Sequence, residues 1–369
     1  MNPNPIPHPS FFIDAHLTDT IRHFATEAEK TGKLHAQQLS IIYEQKWFNL
    51  FVPQEYGGLH LSLTEGLKIE ESLAWTDGSV GWTVTLCSGA NWFVGFLQPE
   101  IAGIIFNTNK VCLAGSGRSS GIAKMIDDGY DISGYWHYAT GAANATAFTA
   151  NCIIEKEGVI IRNEDNSPLV SSFIFLREEV KVHEDWNSIG MVATSSHSFE
   201  VKGLQVNKNR RFLIDEKLAV LDGPVYQYPF LQFAETTLAV NSSGIACRYI
   251  DLFEVIIKER ETNKSNSKEI IDSLILRLTE ARKQLQEIRQ LFYETVQQSW
   301  NEYNESRIFE CDTLKEVSKV SRKLASTARK LVDELYPYSG LVAANRDSEI
   351  NRVWRNLHTA SQHPLLLFF

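Results

Sequence analysis

The chain has 369 residues, of which 43% are hydrophobic and 22% charged, and this length can bury more than one core. Its formal net charge of −9 argues against nucleic acid as the main partner, because phosphate binding needs a basic surface, although local arginines leave room for an anionic cofactor. The sequence lacks an apolar run of membrane-spanning length and a signal-peptide pattern at its start, so we expect a cytoplasmic protein that binds neither nucleic acid nor membrane.

The first part of the chain is predicted to be helical. Over residues 19–108 the apolar side chains recur at helical spacing, as in Ile21, Phe24 and Ala28. We therefore expect a helical N-terminal domain over residues 1–109.

Short strands are predicted between Val111 and Leu213. Alternating or β-branched runs, such as residues 149–154 and 170–176, are separated by clusters of Gly, Asn, Asp and Pro. This pattern is typical of an antiparallel sheet or a small barrel. We expect an antiparallel β-barrel domain over residues 110–214.

Long amphipathic helices are predicted after Pro229. Three apolar segments repeat at helical spacing, and short polar joints separate them at residues 261–267 and 300–305. Such helices pack as an antiparallel bundle, so we expect a C-terminal four-helix bundle over residues 215–369. The predicted fold is thus an α+β multidomain protein with a helical domain, a β-barrel and a helical bundle in that order.

The cysteines carry no sign of a disulfide framework or a zinc site. They are odd in number, scattered and free of C-x-x-C spacing, at Cys87, Cys112, Cys152, Cys247 and Cys311. This distribution favours buried, reduced thiols. Pairs of His or Glu with metal-ligand spacing lack a convincing third ligand, so we expect no metal.

The end of the chain concentrates residues that can carry chemistry. Residues 350–364 contain two arginines, a tryptophan and two histidines, and an apolar stretch follows. A terminus of this composition is expected to be docked, and a histidine at a dry site can titrate near neutral pH and move protons. For Arg352, Arg355 and His358 we expect structural contacts.

Two other patterns were weighed as enzyme motifs. Residues 117–121 satisfy the G-x-S-x-G pattern of hydrolases, but a glycine turn and a strand pattern follow where that motif needs a long helix. Residues 115–117 lack the spacing of a dinucleotide fingerprint, and no βαβ alternation surrounds them. We expect neither a hydrolase nor a Rossmann domain.

Three segments resemble motifs of one enzyme family. Residues 52–59 are similar to its V-P-x-E-Y-G-G-x turn, residues 75–82 to the helix start that follows, and residues 128–145 to a strand segment ending in Thr-Gly. The family is the acyl-CoA dehydrogenase superfamily, and the resemblance spans nearly the whole chain. It implies bound flavin and a homotetramer or dimer built through the C-terminal bundle.

Two further segments resemble the flavin-dependent monooxygenase branch of that superfamily. Residues 354–363 are similar to its W-R-D-x-H-x-A-x-x-H motif, and residues 184–197 to its D-T-W-x-x-x-G-(L/M)-x-x-T-G-S-H stretch. Enzymes of this branch accept reduced FMN or FAD from a separate flavin reductase and use O2 on a small organic substrate. The resemblance therefore implies a monooxygenase of this kind.

The same resemblance implies two catalytic residues. It places the Thr140 hydroxyl against flavin N5, where it can donate a hydrogen bond, and Tyr138, two residues earlier on the same strand face, beside the flavin ring. His363 would lie over the flavin and hold or deliver a proton. Each residue has a structural alternative. Thr140 could belong to a simple Thr-Gly turn, Tyr138 could be an aromatic of the barrel core, and His363 could form a hydrogen bond at a helix end.

Further cofactor-binding residues follow from the resemblance. Trp82, Gly115, Ser116 and Gly117 would line the cleft between the first two domains, where glycines let the backbone approach a ligand. A core position in the helical domain is the alternative for Trp82. Arg260 falls where the family places an arginine for the flavin phosphate of a neighbouring subunit, although the F-G pair that follows it there is missing.

Departures from the family motifs keep two alternatives open. An acyl-CoA dehydrogenase proper would need a glutamate base near the end of the chain, for which Glu334 and Glu349 are the candidates. A flavin-free scaffold is the second alternative, because Asn356 replaces the aspartate of the monooxygenase motif and the surroundings of Arg260 are altered. The helix after the Gly-Trp pair lacks the histidine of phenol-hydroxylating relatives, which argues against a phenol substrate.

Overall fold

The computed structural model describes residues 5–262, 267–306 and 311–368. Helices occupy the first part of the chain, strands the middle and long helices the last part, so the predicted fold class is confirmed. None of the described helices combines the length and the apolar character that crossing a membrane requires.

The N-terminal region contains six α-helices. They are α1 (Ala15–His23), α2 (Ala25–Thr31), α3 (Ala36–Glu44), α4 (Leu63–Thr76), α5 (Gly78–Asn91) and α6 (Pro99–Ile105). A capping box starts α4, since the Ser62 and Glu65 side chains each accept a hydrogen bond from the other residue's backbone amide. Asp77 ends α4 and caps α5, because its carboxylate accepts from the amide of Val80 at 3.0 Å. The single extended residue Asp77 thus separates two largely buried helices.

The middle region is one eight-stranded sheet. Its strands are β1 (Leu113–Ile126), β2 (Gly129–Ala139), β3 (Ala147–Lys156), β4 (Val159–Ile160), β5 (Val170–Leu176), β6 (Lys181–His183), β7 (His197–Asn207) and β8 (Arg211–Phe212). They are ordered β6-β7-β2-β1-β3-β5-β8, and β4 pairs with β3. On one side of this sheet Trp136 stacks on Phe199 with ring centroids 5.1 Å apart, which anchors a second hydrophobic core.

The sheet is mixed, which corrects the prediction of a purely antiparallel barrel. β1 and β2 are antiparallel, and the chain then returns through a short connection to pair β3 with the other edge of β1. The chain reverses direction once between β1 and β2 and again between β2 and β3. β1 and β3 therefore run parallel, with Leu113 opposite Ala147. Among the described strands, no ladder joins the edge strands β6 and β8, so the hydrogen-bonded path stays open.

The C-terminal region is helical. Its helices are α7 (Pro224–Gln227), α8 (Phe230–Thr262), α9 (Lys268–Ser306), α10 (Cys311–Leu335), α11 (Leu341–Ala344) and α12 (Glu349–Ala360). The polar joint predicted at residues 300–305 is wrong, because α9 continues through it with Trp300 and Tyr303 buried. Residues 263–266 of the other predicted joint lie outside the described residues.

A buried ion pair connects the N-terminal helices to the bundle. The guanidinium of Arg289 on α9 donates to both carboxylate oxygens of Glu71 on α4, at 2.8 and 2.9 Å, and the Tyr293 hydroxyl donates to Glu71 Oε2 at 2.9 Å. Burial alone would raise the pKa of Glu71, but the charge and hydrogen bonds of Arg289 hold it below its usual value. The paired groups fix α4 against α9.

Candidate active site

A cavity of about 260 Å³ lies between the sheet, α5, α8 and the end of the chain. Its strand wall is formed by Gly115, Ser116, Gly117, Thr149, Ala150, Asn151 and Ser172. Its helix wall is formed by Thr85, Leu86, Gly89, Ala90, Phe93, Phe230, Phe233, Ala234, Thr237 and Leu238. Thr140, Phe212, Ile214, His363 and Leu365 complete the lining. Small polar groups on one wall and apolar groups on the other suit a flat ligand with one polar edge.

Thr140 follows β2 directly and is held by the loop that precedes β7. Its side chain is buried, and its Oγ1 lies 2.9 Å from Ser196 Oγ. The amide of Gly141 donates to the carbonyl of Thr194 at 2.9 Å, so the backbone of the two loops is also joined. These contacts fix the position of the Thr140 hydroxyl.

His363 lies beyond the end of α12, at the start of the 3₁₀ turn Pro364–Leu366. Its Nδ1 accepts a hydrogen bond from the amide of Leu365 at 3.4 Å. Burial lowers the pKa of His363 to about 4, so the imidazole is neutral at neutral pH. A neutral ring whose Nδ1 accepts carries its proton on Nε2.

The structure brings most of the predicted site residues together. Thr140 and His363 line the same cavity, although they come from distant parts of the chain, and residues 115–117 line it as well. Trp82 does not line the cavity as predicted but packs edge-on against the imidazole of His363. Position 115 needs glycine, because a Cβ there would lie 2.2 Å from Thr149 Oγ1. A Cβ at Gly117 would meet open space.

Tyr138 and Arg260 also lie outside the lining. Tyr138 is 59% exposed, with the Arg118 guanidinium 5.3 Å from its ring centroid, so it does not share a face with the buried Thr140 as predicted. The reason is a β-bulge: the register of β2 on β7 shifts between Trp136 and Ala139, and Tyr138 has a φ of 65°. Arg260 lies at the end of α8 outside this cavity, and its Nη1 donates to the carbonyl of Tyr338 at 2.8 Å.

The segment that carries His363 is docked through α12. Arg355 forms an ion pair with Glu29 and donates to the carbonyl of Ile189 at 2.7 Å. Asn356 Oδ1 accepts from the amide of Met191 at 2.7 Å. A Cβ on Gly190 would lie 2.1 Å from the carbonyl oxygen of Arg355, so this position needs glycine. The predicted structural role of Arg355 is therefore matched by its contacts.

Family comparisons agree with this architecture. A family model for the N-terminal domain of acyl-CoA dehydrogenases matches residues 13–95, and one for their C-terminal domain matches residues 236–367, together more than half of the chain. The chain belongs to the acyl-CoA dehydrogenase superfamily.

Within this superfamily, proteins similar to the chain include monooxygenases. Indole-3-acetate monooxygenase of Pseudomonas putida is 24% identical over 321 residues, which cover 86% of this chain and 80% of the relative. HsaA of Mycobacterium tuberculosis, the oxygenase subunit of a flavin-dependent monooxygenase, is 23% identical over 94% of this chain and 89% of its own length.

Solved structures share the fold at low identity. The crystal structure of M. tuberculosis HsaA matches with a TM-score of 0.85 at 20% identity, covering 95% of this chain and 92% of that one. XiaF from Streptomyces, whose structure was solved in complex with FADH2 and glycerol, matches with a TM-score of 0.78 at 18% identity, covering 95% of this chain and 91% of XiaF.

The ionisable side chains near the cavity bear on the glutamate base that a dehydrogenase would need. Within the described part of the chain, the lining includes no Asp, Glu, Lys or Arg. Of the glutamates considered as a dehydrogenase base, Glu349 accepts from Arg248 at 2.8 Å and Glu334 pairs with Lys330 at 3.6 Å, both outside this lining. Neither glutamate reaches this cavity, and the described lining offers no carboxylate.

Sequence reasoning missed the aromatic part of the lining. Phe93, Phe212 and Phe230 lie close together, with the ring centroid of Phe93 5.6 Å from that of Phe212 and 5.9 Å from that of Phe230. In the sequence each one reads as an ordinary apolar position of a helix or strand. Hydrophobic periodicity identifies a buried face but does not show whether that face meets a neighbour or a cavity.

Proposed function

We propose that the protein is the oxygenase component of a two-component flavin-dependent monooxygenase. It would accept reduced FMN or FAD from a separate reductase and use O2 on a small organic substrate. The observation that carries this proposal is the cavity that Thr140 and a neutral His363 both line, with no carboxylate among its described lining residues. The monooxygenase relatives support it, because the similarity covers most of this chain.

The residues present fit a flavin. A flavin ring is flat and mostly apolar, with hydrogen-bonding groups along one edge. Ser116, Thr140 and Asn151 offer polar atoms from the strand side, while Phe93 and Phe233 offer apolar surface from the helix wall. When bound, the flavin supplies the oxygen chemistry, and the protein supplies position, fixed donors and a dry enclosure.

His363 has the properties of a group that keeps a proton in place. Its neutral ring presents an N–H at Nε2, and the bond from Leu365 together with the indole of Trp82 restrains the ring. In the proposed reaction His363 would hold a proton at Nε2 on its side of the cavity. Thr140 would help to orient the flavin from the strand side.

The cavity favours an uncharged, aromatic or otherwise apolar substrate. The helix wall and its neighbours Phe212, Ile214 and Leu365 expose carbon atoms, and charged side chains are missing from the described lining. Two guanidinium groups beside lining residues are engaged. Arg322, which donates to the Leu365 carbonyl, pairs with Glu235 at 2.5 Å, and Arg211, next to Phe212 in the chain, donates to Ser171 Oγ at 2.9 Å. A carboxylate buried here would lose hydration without gaining a partner.

The proposal includes a homo-oligomer, a tetramer or dimer built through the C-terminal helices. Leu276 on α9 is 71% exposed and Leu341 on α11 is 89% exposed, which is apolar surface suited to a second subunit. Arg260, near this surface, would then contribute to the flavin phosphate of a neighbouring subunit. We place the protein in the cytoplasm, where a reductase can deliver reduced flavin.

The test is a reconstitution with a generic flavin reductase. Purified protein should be colourless, should bind reduced FMN or FAD and slow its oxidation by O2, and should yield oxygenated product from a panel of small aromatic compounds. A yellow protein with tightly held FAD that oxidises acyl thioesters would instead establish the dehydrogenase. A protein that binds neither redox state of flavin would establish the scaffold.

A further inference from the structure

Three buried hydroxyl groups form a chain that runs from the backbone to the cavity. Thr194 Oγ1 donates to the carbonyl of Met191 at 2.8 Å, Ser196 Oγ lies 2.7 Å from Thr194 Oγ1, and Thr140 Oγ1 lies 2.9 Å from Ser196 Oγ. All three hydroxyl side chains are at most 6% exposed. Thr140 lines the cavity, whereas Ser196 and Thr194 do not.

The number of hydroxyl protons allows only one direction of donation along these three hydroxyl groups. A hydroxyl has one proton, and a carbonyl oxygen can only accept, so the proton of Thr194 is used on Met191. The Thr194–Ser196 bond must then be donated by Ser196. With its proton committed, Ser196 can only accept from Thr140. The Thr140 hydroxyl therefore donates into the protein, and its remaining lone pair is available as an acceptor.

The loops hold this direction in place. The amide of Gly141 donates to the carbonyl of Thr194 at 2.9 Å, and Ser195 Oγ donates to the carbonyl of Gly32 at 3.1 Å. Both bonds fix the backbone that carries the three hydroxyls. In the reverse direction, Thr194 Oγ1 and the Met191 carbonyl oxygen would face each other at 2.8 Å without a proton between them. The carbonyl would keep its bonds from Trp186 Nε1 at 2.9 Å and from the Thr194 amide at 3.2 Å, so the close oxygen–oxygen contact is what opposes reversal.

We propose that this hydroxyl chain presets Thr140 as a hydrogen-bond acceptor and thereby makes the site prefer reduced over oxidised flavin. The inference rests on the proposed function, in which the flavin N5 edge meets Thr140. N5 of a reduced flavin carries a hydrogen and can donate, whereas N5 of an oxidised flavin has only a lone pair. If Thr140 Oγ1 can only accept, it forms no hydrogen bond with oxidised N5, and both atoms stay unpaired. A site with such a fixed acceptor therefore discriminates between reduced and oxidised flavin. This reverses the donor role that the family resemblance implied for Thr140.

This preference suits an enzyme that takes its flavin from a partner. Reduced flavin would be retained while it reacts, and the oxidised product would lose one hydrogen bond and leave. Ser196 and Thr194 are positioning residues in this account, because they act only through the hydroxyl orientation of Thr140.

The test compares the dissociation constants of oxidised FMN and of anaerobically reduced FMN for the full chain and its variants. The wild type should bind reduced FMN more tightly. Ser196→Ala frees the Thr140 proton, and Thr194→Val lets Ser196 donate to Thr140, which frees it as well. Each variant should improve the relative affinity for oxidised FMN about fivefold, the worth of one neutral hydrogen bond. The midpoint potential of the bound flavin should fall by about 20 mV.

Two further variants complete the design. Ser198→Ala removes a buried hydroxyl that is not part of the series Thr140, Ser196 and Thr194 and that pairs with Nδ1 of His137. This variant should leave the ratio of dissociation constants unchanged. Thr140→Val should weaken binding of reduced FMN without strengthening that of oxidised FMN, which separates loss of the acceptor from its reorientation.

The outcomes distinguish this inference from the proposed function. A wild type that binds oxidised FMN at least as tightly as reduced FMN overturns the inference, as do folded Ser196→Ala and Thr194→Val proteins with an unchanged ratio. Either result leaves the oxygenase proposal standing if oxygenated product still forms. Failure of the wild type to bind flavin in either state removes both.

Discussion

The imidazole of His363 meets the indole of Trp82 edge-on, with ring centroids 6.1 Å apart and ring planes inclined at 61°. Trp82 belongs to α5 and is almost fully buried, so it forms a rigid surface for the ring. The amide of Leu365 fixes the tautomer from the other direction. Together these contacts hold one N–H of a neutral imidazole in a fixed orientation, which is what a proton-holding group requires.

His363→Ala should uncouple flavin oxidation from product formation. Without the held proton, we expect the yield of oxygenated product to fall on the order of 100-fold and the missing oxygen to appear as hydrogen peroxide. Reduced-flavin binding should change much less. The measurement is product and peroxide formed per reduced flavin consumed, in a reaction with a separate reductase.

His358→Ala is the matched control for that experiment. His358 lies on α12, where Nδ1 contacts the Trp354 carbonyl at 2.9 Å and Nε2 lies 2.9 Å from an oxygen of Asp333. Its loss should affect stability and leave the ratio of product to peroxide intact. Equal uncoupling by both variants, or by neither, would assign His363 to structure alone.

The low pKa of His363 predicts a specific pH dependence of stability. Burial in the folded state lowers the pKa of His363 from its ordinary value of 6.5 to about 4, so folding favours the neutral ring. This contribution is fully present above pH 6.5 and is lost as the pH falls towards 4. In that window the free energy of unfolding of His363→Ala should vary less with pH than that of the wild type.

Urea unfolding at several pH values measures this difference. His16→Ala provides the control, because the His16 side chain is exposed near the start of α1. Its pH profile should follow that of the wild type. If the His363→Ala profile does so too, burial does not shift this group in solution.

Removing the carboxylate of Glu71 should destabilise the whole protein. Glu71→Ala leaves the buried guanidinium of Arg289 without its counter-ion, which costs about 3–5 kcal/mol in comparable pairs. Glu316→Ala breaks an exposed pair with Lys319 and should cost about 0–1 kcal/mol. Chemical unfolding measures the free energy of unfolding of both variants. Similar losses would show that the buried Glu71–Arg289 pair contributes no more stability than the exposed pair.

Much of the architecture could be predicted from the sequence because apolar periodicity reflects burial directly. The helices and strands occur in the predicted order. The loop predicted at residues 300–305 was wrong because the polar residues there lie on the exposed side of a helix that continues, while Trp300 and Tyr303 keep the helical spacing. Composition alone was a weaker guide there than the period of the few apolar residues.

The site could be predicted only in part. That Thr140 and His363 meet at one cavity could be predicted only through motif resemblance, since nothing in local spacing shows that a loop after β2 meets the end of the chain. Tyr138 was misplaced because alternation along a strand fails at a bulge. The hydroxyls of Thr194 and Ser196 gave no signal, because serine and threonine in a loop acquire a direction only from their three-dimensional partners.

The charge preference of the cavity can be tested with two adjacent positions on one segment. Ile214 is half-buried and lines the cavity, whereas Leu213 is 38% exposed and lies outside the lining. Calorimetry on the wild type should show tighter binding of neutral indole than of anionic indole-3-acetate, by more than about tenfold, because the anion loses hydration without gaining a partner.

Ile214→Arg should shift this preference towards indole-3-acetate by about tenfold or more, since the new guanidinium can pair with the carboxylate inside the cavity. Leu213→Arg adds the same charge next to it but outside the lining, and it should keep the preference of the wild type. A wild type that binds the anion as well as indole would show that the cavity does not select against charge. An equal shift in both arginine variants would show that long-range attraction, and not the lining, sets the preference.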